Sequence, residues 1–176
     1  MMTTNLSTIV QTLGTTGPVL QELFAAAPSE LTFARESDDV WSPYEVVEHL
    51  VLAEQKAWIP RARLLLEQDR PPFPAFDRYA HLRWARRDVM AAIEDFQRHR
   101  AVSMDTLNGW SLTQEALQRV AIHPEFGEVT LAQLLSTWAA HDLGHLTQIL
   151  RTMARAYRPS VGPWTSYLSV MKSADP

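Results

Sequence analysis

The chain has 176 residues, 46% hydrophobic and 20% charged, which fits one globular domain over 1–176 and excludes a disordered polar chain. Net charge is −4, with sixteen basic residues spread along the chain, so no nucleic-acid partner is expected. The absence of cysteine excludes disulfides, thiolate ligands and a cysteine nucleophile; a metal would need histidine and carboxylate ligands, and a reacting thiol would have to come from elsewhere.

No apolar run reaches bilayer length, and the opening MMTTNLSTIVQTLG lacks the basic head and apolar centre of a signal peptide, so no membrane association and a cytoplasmic location are expected. Leu6, Ile9, Val10, Leu13, Leu20, Leu23 and Phe24 carry a helical period through about 5–27. Gly14 and the Gly17–Pro18 pair predict a kink or a division into two pieces. Residues 25–39 read as a connection.

The next segment, WSPYEVVEHLVLAEQKAWIPRARLLLEQ, spans 41–68. Ser42 as N-cap, Pro43 in the first turn and Glu45 three residues after the cap give a strong helix start. Val46, His49, Leu50, Ala53 and Ala57 share its inward face, Glu48 points to the surface, and Pro60 is expected to kink or end the regular part. Residues 69–83 hold three prolines and two phenylalanines and read as an ordered loop containing His81. A third helix is expected from about Trp84 to Leu107, with Val89, Ile93, Phe96 and Met104 inward; neither His81 nor His99, which sits between Arg98 and Arg100, is expected to bind metal.

Asn108–Gly109 ends that helix, and His123–Pro124 with Gly127 marks a turn, so 108–130 is expected to hold a short irregular hairpin. Thr130 and Gln133 form a capping-box pattern before TLAQLLSTWAAHDLGHLTQILRTM, a fourth helix over about 130–155. A short helix from about Pro163 to Met171 closes the chain. Four long amphipathic segments with little strand predict an all-α four-helix bundle with long connections and a short C-terminal helix.

His141 and His145 lie one turn apart and about 40° apart around the fourth helix, close enough to share one metal ion. The plain alternative is two satisfied core histidines or a half-exposed pair. A bundle brings His49 toward the same core, and three inward imidazoles on two helices favour a metal site. Asp142 is a rival fourth ligand, but its position about 100° from His141 favours a supporting or solvent-facing role. Glu45 and Gln148 could line the pocket. The six tryptophans read mainly as core and rim packing, although Trp138, one turn before His141, could wall the site.

The runs WSPYEVVEHL, HPEFGEVTLAQLL and HDLGHLTQI, in this order across about 40–155, resemble the DinB-like superfamily of metal-dependent enzymes. The resemblance implies a divalent metal held by His49, His141 and His145, on a bundle that is often a homodimer. It further implies a small-molecule substrate and a low-molecular-weight thiol as cosubstrate, since members with known activity include thiol S-transferases and thiol-requiring isomerases. Three neutral imidazoles leave the ion its full charge, and an open fourth position is the arrangement of catalytic zinc. The reaction expected is metal activation of water or a thiol for attack on an electrophile, by a transferase or hydrolase. Zinc is the first expectation, with nickel, iron and manganese open. The other class of function is a metal-stabilised binding protein without turnover.

Overall fold

The computed structural model describes residues 6–172. Asn5, the first residue of the expected opening helix, and both ends of the 1–176 span lie outside the described residues. Four long helical segments form the bundle: α1 (Leu6–Ala25), α3 (Pro43–Lys56) continued by α4 (Trp58–Glu67), α5 (Val89–Gly109) and α7 (Leu131–Ala156). Short helices α2 (Ser29–Thr32), α6 (Gln114–Leu117) and α8 (Arg158–Val161) lie in the connections.

Local chemistry accounts for most boundaries. The Ser42–Glu45 and Thr130–Gln133 capping boxes both form, each side chain accepting from or reaching back to the partner's backbone N–H. Of the two outcomes expected for the first segment, a kink or a division, the division does not occur: α1 runs through Pro18 as one helix. The second segment breaks at Ala57 rather than at Pro60. In a continuous helix the Pro60 ring would meet the Lys56 carbonyl; ending α3 at Lys56 puts Pro60 in the first turn of α4, where its missing N–H costs nothing.

The third helix begins at Val89, five residues later than expected, because Asp88 caps it, accepting from the N–H groups of Met90 (2.9 Å) and Ala91 (3.2 Å). The preceding stretch is held away from helix by Arg87. Its backbone N–H donates to the Tyr44 hydroxyl (3.1 Å), while its guanidinium pairs with both Glu48 oxygens (2.8 Å each) and with Asp95 (2.9 Å). Glu48 is therefore not on the surface. It is 2% exposed, because α3 packs against α5 and α7 and eleven of its fourteen residues are buried.

The hairpin pairs β1 (Val120–His123) antiparallel to β2 (Gly127–Thr130), with Gly127, at φ 71°, as the first strand residue after the turn. The proline-rich loop docks on it through Phe73 N–H to Ile122 O (2.8 Å) and Ile122 N–H to Pro71 O (2.9 Å). At the C-terminus, two 3-10 turns, Gly162–Ser166 and Ser169–Met171, stand where one short helix was expected.

Two apolar clusters fill the bundle. One gathers Leu13, Trp58, Leu65, Leu107, Leu135 and Trp138; the other gathers Leu20, Val47, Leu50, Ile93, Phe96 and Ile149. Between them lies a buried polar layer to which each long segment gives one residue: Thr16, Glu54, Arg100 and Asp142. Arg100 Nη2 lies 2.7 Å from both Glu54 Oε1 and Asp142 Oδ2, and its Nη1 donates to the Leu13 carbonyl (2.6 Å). Thr16 Oγ1 donates to Asp142 Oδ2 (2.7 Å), and Trp138 Nε1 donates to Glu54 Oε1 (2.9 Å). One face of this layer abuts His141.

Candidate metal centre

His49 comes from the second turn of α3; His141 and His145 come from consecutive turns of α7, which packs against it. The structure brings the three together, with a ligand nitrogen from each lying within 4.8 Å of the other two. His141 Nε2 is 3.2 Å from His49 Nε2 and 3.1 Å from His145 Nε2. Nitrogens bound tetrahedrally to one zinc ion would be about 3.3 Å apart.

Hydrogen bonds decide where the ring protons sit. His49 Nδ1 is 3.1 Å from the Arg78 carbonyl and His145 Nδ1 is 2.9 Å from Gln148 Oε1. Both oxygens only accept, so both Nδ1 atoms carry protons and both Nε2 atoms present lone pairs. His141 Nδ1 and Asp142 Oδ1 are buried, 3.9 Å apart, and neither has a hydrogen-bond partner. A proton on His141 Nδ1 would suit that carboxylate and leave a third lone pair facing the other two. A proton on its Nε2 could serve one neighbouring imidazole well, not both. Three lone pairs meeting at one point repel each other unless a cation lies among them, so the donor set fits a divalent ion.

Burial is the main cause that lowers the pKa of His49 to about 3 and of His145 to about 4; for each, repulsion from the neighbouring imidazoles adds to it. Both rings are thus neutral, as ligands must be, well below the usual imidazole range. This moves the expected acid sensitivity of these two ligands. From an ordinary imidazole pKa, loss of metal is expected below about 6.5. With the folded values, proton competition at His145 and His49 begins near pH 4.

The stability of the metal-free fold responds earlier. An unfolded chain takes up these two protons near pH 6.5 and the folded chain does not, so the unfolded state binds more protons. Stability is full above about pH 6.5 and falls as pH drops toward 4, by up to about 1.4 kcal/mol per pH unit for each proton. Urea midpoints of chelator-treated protein between pH 7 and 4.5 check this; a flat profile would contradict neutral burial of the pair.

Aromatic rings wall the centre. Trp41 packs 4.8 Å from the His49 ring and stacks at 6.4 Å on His145, while Trp58 meets His141 edge-on at 5.0 Å. Trp138 lies one layer back, fully buried and stacked on Trp58 at 5.8 Å. Asp142 is wholly buried in the Arg100 layer. Gln148 accepts from His145, and Glu45 is taken up by its capping box and by an ion pair with Arg35. His99 sits apart, against Gln55 and Asp95.

The neighbour missed in the sequence is His81. It is 3% exposed, its ring lies 5.2 Å from His49 and 4.7 Å from Trp41, and neither ring nitrogen makes a hydrogen bond. The available signal was the density of aromatic residues around it, Phe73, Phe76 and Tyr79, since a loop that apolar must pack onto something.

The family model of the DinB superfamily matches residues 12–149, a span that holds all three histidines. The chain belongs to the DinB superfamily. No curated protein matches this DinB sequence. Among solved structures, it is similar to YfiT from Bacillus subtilis, described as a probable metal-dependent hydrolase with an unusual four-helix bundle topology. The two share 19% identity over 88% of this chain and 89% of that one, with a TM-score of 0.76. At that identity the likeness shows the shared fold. Among the described residues of this DinB protein, no helix is long and apolar enough to cross a membrane.

Proposed function

We propose that this DinB protein is a metal-dependent enzyme acting on an electrophilic small molecule, as a thiol S-transferase or a hydrolase. The observation that carries the reading is the meeting of three imidazole Nε2 atoms, two with their Nδ1 protons committed elsewhere. His49, His141 and His145 would hold a divalent ion, which would supply the Lewis acidity for activating water or a low-molecular-weight thiol as nucleophile. Zinc is the first choice, with nickel, iron and manganese as alternatives.

The chain's own residues hold, orient and shield. The Arg78 carbonyl and Gln148 fix the tautomers of His49 and His145, so their lone pairs need no rearrangement before binding. Asp142, held by Arg100 and Thr16, keeps a carboxylate oxygen 3.9 Å from His141 Nδ1, on the side of the ring away from the other two histidines' Nε2 atoms. Trp41 and Trp58 limit water around the rings. With no cysteine in the chain, the thiol in the transferase form of the reaction is a cosubstrate.

The alternative, a metal-stabilised binding protein without turnover, calls for a fourth protein ligand that seals the ion. Among the described residues the metal-holding group has three members, and Asp142 is committed to Arg100 and Thr16, which favours the enzyme. YfiT's description supports the hydrolytic arm.

The test begins with elemental analysis of untagged protein purified without added metal. It continues with two assays, p-nitrophenyl acetate hydrolysis and thiol transfer to 1-chloro-2,4-dinitrobenzene, in which a C–S bond forms and chloride leaves. Turnover that is lost on chelation and restored by one divalent metal is the expected result. Metal bound without turnover in either assay would favour the binding protein.

The same reading takes the enzyme to be a cytoplasmic homodimer with 1–176 as its one domain. Leu143 and Leu150, each 50% exposed on the outer face of α7, and Tyr157, 55% exposed just past its end, recur every seven residues, which supports self-association. Light scattering should return about 40 kDa, twice the 20.0 kDa chain mass; about 20 kDa at micromolar concentration would refute the dimer.

A further inference from the structure

Beside the metal centre, between the start of α3 and residues 81–86, lies a cavity of about 300 Å³. Phe33, Leu82 and Trp84 give it apolar walls, and five charged or imidazole side chains reach it: Arg35, Glu45, Glu48, His81 and Arg86. Three of the five are already committed. Arg35 pairs with Glu45, whose other oxygen accepts from Ser42, and Glu48 is taken by Arg87 and the Tyr44 hydroxyl.

His81 and Arg86 are the two left over. Arg86 lies over the Phe33 ring, 3.6 Å from its centroid, with no carboxylate in ion-pair reach among the described residues. His81 is 3% exposed, and both of its ring nitrogens are buried without a hydrogen-bond partner. A buried imidazole with neither nitrogen satisfied is costly, and such groups in native proteins usually have a partner. The His81 side chain lines the cavity, with its ring packed against those of Trp41 and His49.

One ligand group satisfies both residues. An oxyanion accepts from an imidazole N–H through one oxygen and from a guanidinium through the other, and carboxylate has the planar shape that guanidinium prefers. Flat apolar walls favour a flat apolar body. We propose that this cavity binds a small aromatic or unsaturated carboxylate, with its carboxylate held by His81 and Arg86. As the docking site of the electrophile this rests on the metal reading above, because the link between them is the His81 ring, 5.2 Å from His49.

The test uses benzoate and its neutral isostere benzamide, titrated at fixed ionic strength and followed by protein NMR. Metal-free and metal-loaded protein are both used, since benzoate could bind an exposed ion directly. The expected result in both forms is binding of benzoate about tenfold tighter than benzamide, with shifts centred on Phe33, His81 and the Trp84 indole. Arg86→Met, at an exposed position, and His81→Phe, which keeps the ring, should each remove that preference; Arg63→Met on the outer face of α4 should not. Equal binding of the two probes, shifts elsewhere, or unchanged preference in folded Arg86→Met would overturn the proposal. The two readings fail separately. Protein that holds no metal yet prefers benzoate keeps the cavity and loses the metal centre; protein that holds metal without the preference does the reverse.

Discussion

Alanine in place of His49, His141 or His145 should strip the protein of most of its divalent metal, while His99→Ala keeps it. Each of the three supplies one of the Nε2 atoms that meet at 3.1–3.2 Å around His141, so removing any one leaves two ligands and a gap that water fills. Two-ligand sites rarely compete with buffer and chelators, so the loss should exceed the 10–100-fold typical for removing a supporting partner. His99 binds Gln55 and Asp95 instead and serves as the control. Elemental analysis after dialysis against a weak chelator, with far-UV circular dichroism to show retained helix, checks the result. The helices should survive, because both apolar clusters are built from other side chains. Unchanged metal in His49→Ala would remove the basis of the proposed mechanism.

Arg100→Met is expected to be the most destabilising single change in the bundle. Arg100 is 5% exposed and is the cation shared by two buried carboxylates, Glu54 at 4% and Asp142 at 0%. Methionine conserves much of the volume but leaves both carboxylates without their countercharge. Breaking such a buried pair from one side costs about 3–5 kcal/mol, a fall in Tm on the order of 10 °C for a chain of this size. The triple variant Arg100→Met, Glu54→Gln, Asp142→Asn should recover much of that loss, since no buried charge then remains unpaired. Urea denaturation of the three proteins checks it. A loss under about 1 kcal/mol for Arg100→Met would show that water reaches the layer and screens it.

The polar layer and the metal centre differ in how far they could be read without a structure. On the third helix the spacing Phe96, Arg100, Ser103, Leu107 places an arginine on an otherwise apolar stripe. That spacing marks a charge that must be buried or must snorkel, and it was there to be seen. Its partners were not, because Glu54, Asp142 and Thr16 lie on three other segments, and pairing across helices depends on their rotation and stagger.

The sequence by itself determined the four long segments, both capping boxes and the hairpin turn. These rest on contacts within a few residues, whose geometry the local chain fixes. It also singled out His49, His141 and His145, since helical period alone puts each on an inward face. Tertiary structure decided the rest. Pro60 and Asp88 show the boundary cases: a proline does not say which residue before it ends the helix, and an aspartate cap overrode an apolar period that could have begun at Trp84. Glu48 looked exposed from the period of α3, yet a central helix is covered on nearly every side and Arg87 reaches in to pair it. His81 sits in a single 3-10 turn, Ala80–Arg83, too short to show a period, and only the packing of that turn on α3 sets its ring beside His49. A residue's place within its own segment follows from short-range geometry, whereas its partner depends on how segments of distant sequence dock.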